Sequence, residues 1–435
     1  MSPEIIGITG LVIMLALMFL SVPLGVVMAM VGFGCFVWLA GLQEGLSILG
    51  SNAFRTASTN MLLVMPLFIL MGSFASYAGL ALDAFYAANK WIGHMRGGLA
   101  MAVICGCTAF GAVCGSSIAT AATMCTVALP EMRRYKYADQ FSLGTICSGG
   151  LLGFMIPPSA AFIIYAISTE ESIGRLFMAG IFPGLVIAVL FMVAIYIWCR
   201  INPVLAPASP KVPWRERWGS IYKVWGVLVL FLLVLGGLYG GIFTPNEAGA
   251  VGAFGALVLG LIKRKMTWKL FIKSLAETAQ LTGMIFLLII GANIFNVFIA
   301  MSKIPFAIAA FIGELGIAPI GIVIALVVVY VILGFFMELI AIILITMPII
   351  YPLLIAVGID PIWFGVLVVL TIMIGQITPP VGVLIYAIGG LVRDVPLYTI
   401  FNGVWPFLFA QLAALAILIA FPQISLWLPN IMIPG

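Results

Sequence analysis

The chain has 435 residues, 64% of them hydrophobic and only 8% charged, with a formal net charge of +5 and a mean hydropathy of +1.28. These values exclude an ordinary soluble domain and point to a polytopic membrane protein, whose basic residues set topology rather than bind nucleic acid. Seven cysteines in or beside apolar stretches and a single histidine, His94, are too few and too scattered for a zinc or haem site, so no cofactor is expected and a membrane enzyme or electron-transfer subunit is disfavoured.

The first apolar run has no basic region ahead of it and no small-residue cleavage signal, so it reads as a retained helix rather than a signal peptide. Ten runs have the length of a crossing or nearly so, at about 4–20, 22–40, 60–80, 138–168, 176–200, 221–241, 247–262, 276–300, 361–391 and 398–428. Two further apolar regions, 97–130 and 316–353, carry a polar interruption near the middle, Gly115-Ser116-Ser117 in one and Gly334 to Glu338 in the other. These read as re-entrant helical hairpins. Ahead of each lies an amphipathic stretch, Leu82 to His94 and Pro305 to Glu314, suited either to an interfacial arm or to a plain surface connector. Thr244-Pro245-Asn246-Glu247 has the form of a capping box that starts the crossing after it.

Two double prolines interrupt otherwise apolar helices. Each deletes two backbone donors and forces the preceding residue out of helical geometry, and a broken helix at membrane depth survives only where protein or a wet cavity supplies partners. Gly153, Pro157-Pro158, Tyr165-Ala166-Ile167, Gly180 and Pro183 are echoed by Gly375, Pro379-Pro380, Tyr386-Ala387-Ile388, Gly403 and Pro406. Such a repeat predicts two units, 1–200 and 220–435, joined by a polar linker, 201–219. With five crossings each, the units have inverted topology. If the linker, which carries Arg200, Lys211, Arg215, Arg217 and Lys223 at or near its ends, is cytoplasmic, then 16 of the 19 Lys and Arg residues fall inside and only Arg55, Arg175 and Lys303 fall outside. Both termini are then expected outside.

Small hydroxyls, exposed carbonyls and helix ends converging at mid-membrane suit a small hard cation and a carboxylate. The first-half candidates are Gly115, Ser116, Ser117, Thr120 and Thr123 on the hairpin and Pro157 and Ser159 on the broken helix. Small residues that only permit close helix packing are the alternative, most open for Thr120 and Thr123. The second-half candidates are Gly334 and Glu338 on the hairpin and Gln376, Thr378 and Pro379 on the broken helix. An ionisable group at the bilayer centre costs about 2.5 kcal/mol or more on insertion scales, so Glu338 needs a cation or a donor. It is a sodium ligand, a proton carrier or, on a shallower hairpin, a surface residue. Arg175, Lys303 and Arg393 flank crossings and read as anchors.

The landmarks Met65-Pro66-Leu67-Phe68-Ile69-Leu70-Met71-Gly72, Gly115-Ser116-Ser117, Ile156-Pro157-Pro158-Ser159, Leu176 to Gly184, Gly241-Ile242-Phe243-Thr244-Pro245 with Glu247, and Gln376-Ile377-Thr378-Pro379-Pro380 run over essentially the whole chain. In that order the chain resembles the large membrane subunit of the tripartite ATP-independent periplasmic (TRAP) transporters. The resemblance implies an elevator transporter of the bacterial inner membrane, in which a fixed scaffold flanks a transport domain that carries both hairpins. It also implies sodium ions as coupling ions, a small four-helix membrane subunit, and a periplasmic binding protein that delivers an organic acid of the C4-dicarboxylate or sialic or sugar acid class. Ser116, Ser117, Ser159, Glu338, Thr378 and Pro379 are the positions the resemblance supports. A stand-alone sodium or proton symporter of organic anions is the alternative.

Overall fold

The computed structural model describes residues 2–20, 22–207, 212–314 and 317–432. Lys211, with the rest of 208–211 of the linker and residue 316 at the start of the second hairpin region, lies outside them. All regular structure among the described residues is helical. The first half comprises α1 (Pro3–Phe19), α2 (Leu24–Ala40), α3 (Leu42–Ala57), α4 (Val64–Tyr77, entered through a 3-10 turn), α5 (Leu80–Ile92), α6 (Gly98–Cys114), α7 (Ser117–Arg134), α8 (Asp139–Met155), α9 (Ala160–Thr169) and α10 (Ile173–Ile201). In the second are α11 (Trp214–Tyr239, with a π-turn at Leu232–Gly236), α12 (Pro245–Ile262), α13 (Trp268–Met301), α14 (Ile304–Glu314), α15 (Pro319–Phe336), α16 (Leu339–Ala356), α17 (Pro361–Ile377), α18 (Val383–Leu391), α19 (Leu397–Ala420) and α20 (Gln423–Met432). Among the described residues, nine helical stretches are long and apolar enough to cross a membrane, and α1, α2, α6 and α17 are shorter apolar helices.

The helices form two packed groups. In one, α2 lies along α13 and α4 along α12. In the other, α8 and α17 are central: α6, α7 and α19 pack on α8, while α15, α19 and α10 pack on α17. Small residues let these helices approach closely, since a Cβ on Gly144 would lie 2.2 Å from the Gly403 carbonyl oxygen. The central helices are buried nearly end to end: in α8 every residue from Phe141 to Met155 is buried, and in α17 every residue from Ile362 to Ile377.

Local chemistry explains most boundaries. Thr244 caps α12 as expected: its hydroxyl accepts from the Glu247 N–H at 3.4 Å and its own N–H donates to Glu247 Oε2 at 2.8 Å. Helix α5 is fixed to its neighbours by a Lys263–Asp83 ion pair, by Lys90 Nζ to Glu216 Oε2 at 2.8 Å, and by Trp91 edge-on to Trp214 and Trp218. It begins two residues before the expected stretch and ends short of His94.

The structure corrects two expectations and adds one element. The last crossing does not run to 428: Pro422 has no N–H to continue the ladder, Phe421 leaves helical geometry at φ −128°, and α20 is a separate helix. Helix α20 folds back on α10, with Trp427 edge-on to Phe182 and Asn430 accepting from the Arg175 guanidinium at 3.3 Å. Second, a stretch outside the ten expected crossings, between the runs at 22–40 and 60–80, forms α3, packed on α2 and α13, where Asn293 donates to the buried Thr56 hydroxyl at 2.8 Å. Third, the second hairpin turns at Met337 and Glu338, and Gly334 lies inside α15 rather than at its tip.

Candidate functional site

The first hairpin turns on two residues. Gly115 ends α6 in left-handed geometry (φ 65°), which glycine adopts without steric cost, and extended Ser116 caps α7, accepting from the Ala119 N–H at 3.4 Å. This tip is pressed onto the break in α8–α9. The Gly115 carbonyl accepts from the Ala160 N–H at 3.2 Å, and a Cβ on Gly153 would stand 2.7 Å from the Ser116 carbonyl oxygen and 2.8 Å from Thr120 Oγ1. No side chain larger than hydrogen fits between α8 and α7 there. At the break, Pro157 and Pro158 supply no N–H, and the Ser159 hydroxyl, fully buried, donates back to the Phe154 carbonyl. The Ser117 and Thr120 hydroxyls are fully buried and, among the described residues, neither has a nitrogen or oxygen hydrogen-bond partner, though the Cys114 thiol lies beside Thr120. An orphaned buried polar group costs about 1–3 kcal/mol unless a partner is supplied.

The second hairpin is placed alike and differs in chemistry. Glu338 caps α16, its Oε2 accepting from the Ile340 N–H at 3.0 Å. Gly334 packs on α17, where its Cβ would lie 3.0 Å from the Gly375 Cα. That contact requires a glycine at this position. Gln376 is 3% exposed with Oε1 unpartnered, and Thr378, at the C-terminus of α17, donates to the Ile374 carbonyl at 2.6 Å. Pro379 is half-buried and Pro380 exposed, whereas Pro157 and Pro158 are both buried. Both Pro-Pro bonds are cis. The halves also exchange partners: α7 of the first hairpin packs on α18, and α16 of the second on α9.

Both tips reach one cavity of about 690 Å³. Ser116, Ile118 and Ala119 come from the first hairpin, Glu338, Ile340 and Ala341 from the second, and Phe154 and Ala160 from the first broken helix. The facing wall is made by the start of α2, by α4, and by α13 with Leu281, Met284, Ile285 and Leu288. Its one charged residue is Glu277, whose carboxylate accepts from Ser73 Oγ at 3.2 Å and Tyr77 OH at 2.8 Å and stands 3.8 Å from Lys273 Nζ.

Of the sequence candidates, Ser116 and Glu338 line this cavity, while Ser117, Thr120, Gly115, Pro157 and Ser159 lie packed at or beneath the first tip. Thr123 lies further along α7 and faces the wall helix α4, its hydroxyl 3.5 Å from Ser76 Oγ. Gln376, Thr378 and Pro379 gather at the second break, and none of them is among the residues lining the cavity. Sequence reasoning passed over Ser73, Tyr77 and Glu277. Glu277 falls at the very start of the run at 276–300, where an acidic residue reads as an interfacial charge, and only the packing of α4 on α13 turns it inward.

A family model described as "Tripartite ATP-independent periplasmic transporter, DctM component" matches residues 11–424. The chain is 39% identical over 399 residues to a C4-dicarboxylate TRAP transporter large permease protein of Pseudomonas aeruginosa, covering 91% of this chain and 92% of that one. It is 32% identical to a sialic acid TRAP transporter large permease protein of Vibrio cholerae and 34% identical to an ectoine one of Halomonas elongata, in each case over 96% of this chain and 97% of the relative. The fold is similar to that of the Alcanivorax borkumensis YdaH transporter, with a TM-score of 0.67 at 16% identity over 89% of this chain and 90% of that one. Helices of crossing length, a cavity between two hairpin tips and a wall, and relatives that are permeases rather than enzymes agree: the chain belongs to the DctM family, the large permease subunits of TRAP transporters.

Proposed function

We propose that this subunit is a sodium-coupled secondary transporter that imports a small organic carboxylate by an elevator mechanism. Residues 1–200 and 220–435 act as two inverted repeats joined by the 201–219 linker, and their hairpins are re-entrant. The wall of α2, α4, α12 and α13 is the fixed scaffold. The hairpins and broken helices move as one body against it, with α5 and α14 as linking arms. The observation that carries the reading is the convergence of Ser116 and Glu338, the caps of two equivalently placed helices, on one cavity between the two helix groups.

Sodium is assigned to the first tip, where the Ser117 and Thr120 hydroxyls are buried, Thr120 Oγ1 lies against Gly153 and Gly115 packs on the Pro158 and Ala160 backbone. Hard oxygen donors suit such an ion. In the second half Glu338 meets positive charge, from a sodium ion or from the compound carried, with Gln376, Thr378 and Pro379 at the break behind it. One net charge moving inward at 100 mV supplies about 2.3 kcal/mol, so two or more sodium ions can carry an anion against its own charge. The charge bias places Lys273 and Glu277 toward the cytoplasm, so the cavity reaches the tips from that side and the conformation faces inward. The partners are the lipid bilayer of the bacterial inner membrane, a small four-helix membrane subunit and a periplasmic binding protein, with both termini periplasmic.

Uptake of radiolabelled organic acids into proteoliposomes holding this chain and its small partner tests the reading. Uptake that requires both external sodium and the binding protein is expected. Sodium-dependent uptake without the binding protein would make it a stand-alone symporter, and absence of anion uptake by folded protein under any gradient would overturn transport.

A further inference from the structure

The two tips are equivalent in place and unlike in charge. At the first, the residue that caps α7 is Ser116, a neutral hydroxyl that occupies a single first-turn N–H. At the second, the same position is Glu338, whose carboxylate already sits on the positive end of α16 through the Ile340 N–H. A helix N-terminus attracts an anion. The first tip keeps that property, and the second presents its own negative charge to the cavity. Across from both, Glu277 is held facing the cavity by Ser73 and Tyr77, with its side chain 42% exposed. No Lys, Arg or His is among the described residues that line the space. Lys273 pairs with Glu277 at 3.8 Å but is not among the lining residues.

A dicarboxylate in this cavity would bring two negative charges to Glu338 and to Glu277, which the exposed Lys273 offsets only in part, with no basic side chain among the lining residues to receive either. A molecule with one carboxylate at the first tip and a positive group toward Glu338 and Glu277 meets the opposite sign at each end. Sodium beneath Ser116, at Ser117 and Thr120, strengthens the same polarity. We infer that the compound carried is a zwitterion, a carboxylate that also bears an ammonium or amidinium group, and that Glu338 and Glu277 select it. This rests on the proposed reading of the cavity as the substrate site.

The test uses this chain with its small partner in lipid nanodiscs with sodium, and ectoine, L-proline, D-gluconate and succinate as probes, with affinities read from ligand-dependent thermal unfolding. A zwitterion is expected to bind at least about tenfold more tightly than succinate, and Glu338→Gln to erase that ratio by weakening the zwitterion about tenfold while leaving succinate equal or better. If Glu338→Gln does not fold, Glu277→Gln, at a water-facing position, is expected to shift the ratio in the same direction. Succinate or gluconate binding as tightly as either zwitterion would overturn the inference. So would failure of both zwitterions to bind, or a ratio unchanged in the folded variants. Sodium-dependent uptake of succinate would sink the zwitterion alone and leave the transporter reading intact, whereas absence of uptake of any of the four acids would strike that reading first.

Discussion

Removing the Ser117 hydroxyl separates a ligand from a packing group, because the two predict opposite signs. The oxygen is fully buried and unpartnered, so in sodium-free buffer Ser117→Ala removes an unsatisfied group whose burial costs about 1–3 kcal/mol. The variant should then be as stable as the parent or more so. With sodium at 100 times its dissociation constant, binding adds about 2.7 kcal/mol to the parent; a tenfold weaker site cuts this to about 1.4 kcal/mol. The sodium-dependent part of the stability therefore roughly halves while the sodium-free part holds or rises. Thermal unfolding of purified protein in matched sodium and potassium salts reads both parts, and Thr120→Ala should repeat the pattern. If Ser117→Ala keeps the full response to sodium, the hydroxyl is not a ligand and the assignment of the first tip is wrong.

Other parts of the reading can be tested at single contacts. Thr123 Oγ1 and Ser76 Oγ stand 3.5 Å apart across the boundary between hairpin and wall, so Thr123→Cys with Ser76→Cys should form a disulfide that stops uptake until a reductant is added; full uptake in the oxidised protein would argue against sliding at this boundary. Gly153→Ala drives a methyl to within 2.7 Å of the Ser116 carbonyl oxygen, which should cost about 1–3 kcal/mol and abolish sodium stabilisation. Unchanged melting curves with and without sodium would refute the close fit. Breaking the half-hidden Asp83–Lys263 pair with Asp83→Asn should cost about 1.5–3 kcal/mol, and Asp83→Lys with Lys263→Asp should recover most of it by calorimetry. A swap no more stable than the single variant would mean that the pair does not hold α5 in place.

How much could be read in advance depended on whether the cause was local. The breaks at Pro157 and Pro379 follow from missing donors within a few residues, and the capping box at Thr244 from side chains three apart, so pattern alone located them. The break after Ala420 has the same cause, yet Pro422 was passed over because the apolar run continues beyond it to Leu428. Helix α3 carries Glu44, Arg55 and several small polar residues, and it is helical because α2 and α13 cover one face, which no short window reveals. That Gly334 packs against Gly375, forty-one positions away in sequence, is likewise invisible to any short window.

Glu277 shows the limit most clearly. By itself it is a charge at a helix end, and its inward orientation depends on Ser73 and Tyr77, two hundred residues earlier in the chain. The two hairpins carry the complementary lesson. Their landmarks repeat closely enough to predict matching positions, but Ser116 and Glu338 at those positions differ in charge, and Leu339 stands where the first hairpin has Ser117. Matching position therefore does not bring matching chemistry: the first tip offers neutral hydroxyls, whereas the second offers a carboxyl group. Transport of a molecule with two unlike ends asks for such a division, and two identical tips would not provide it.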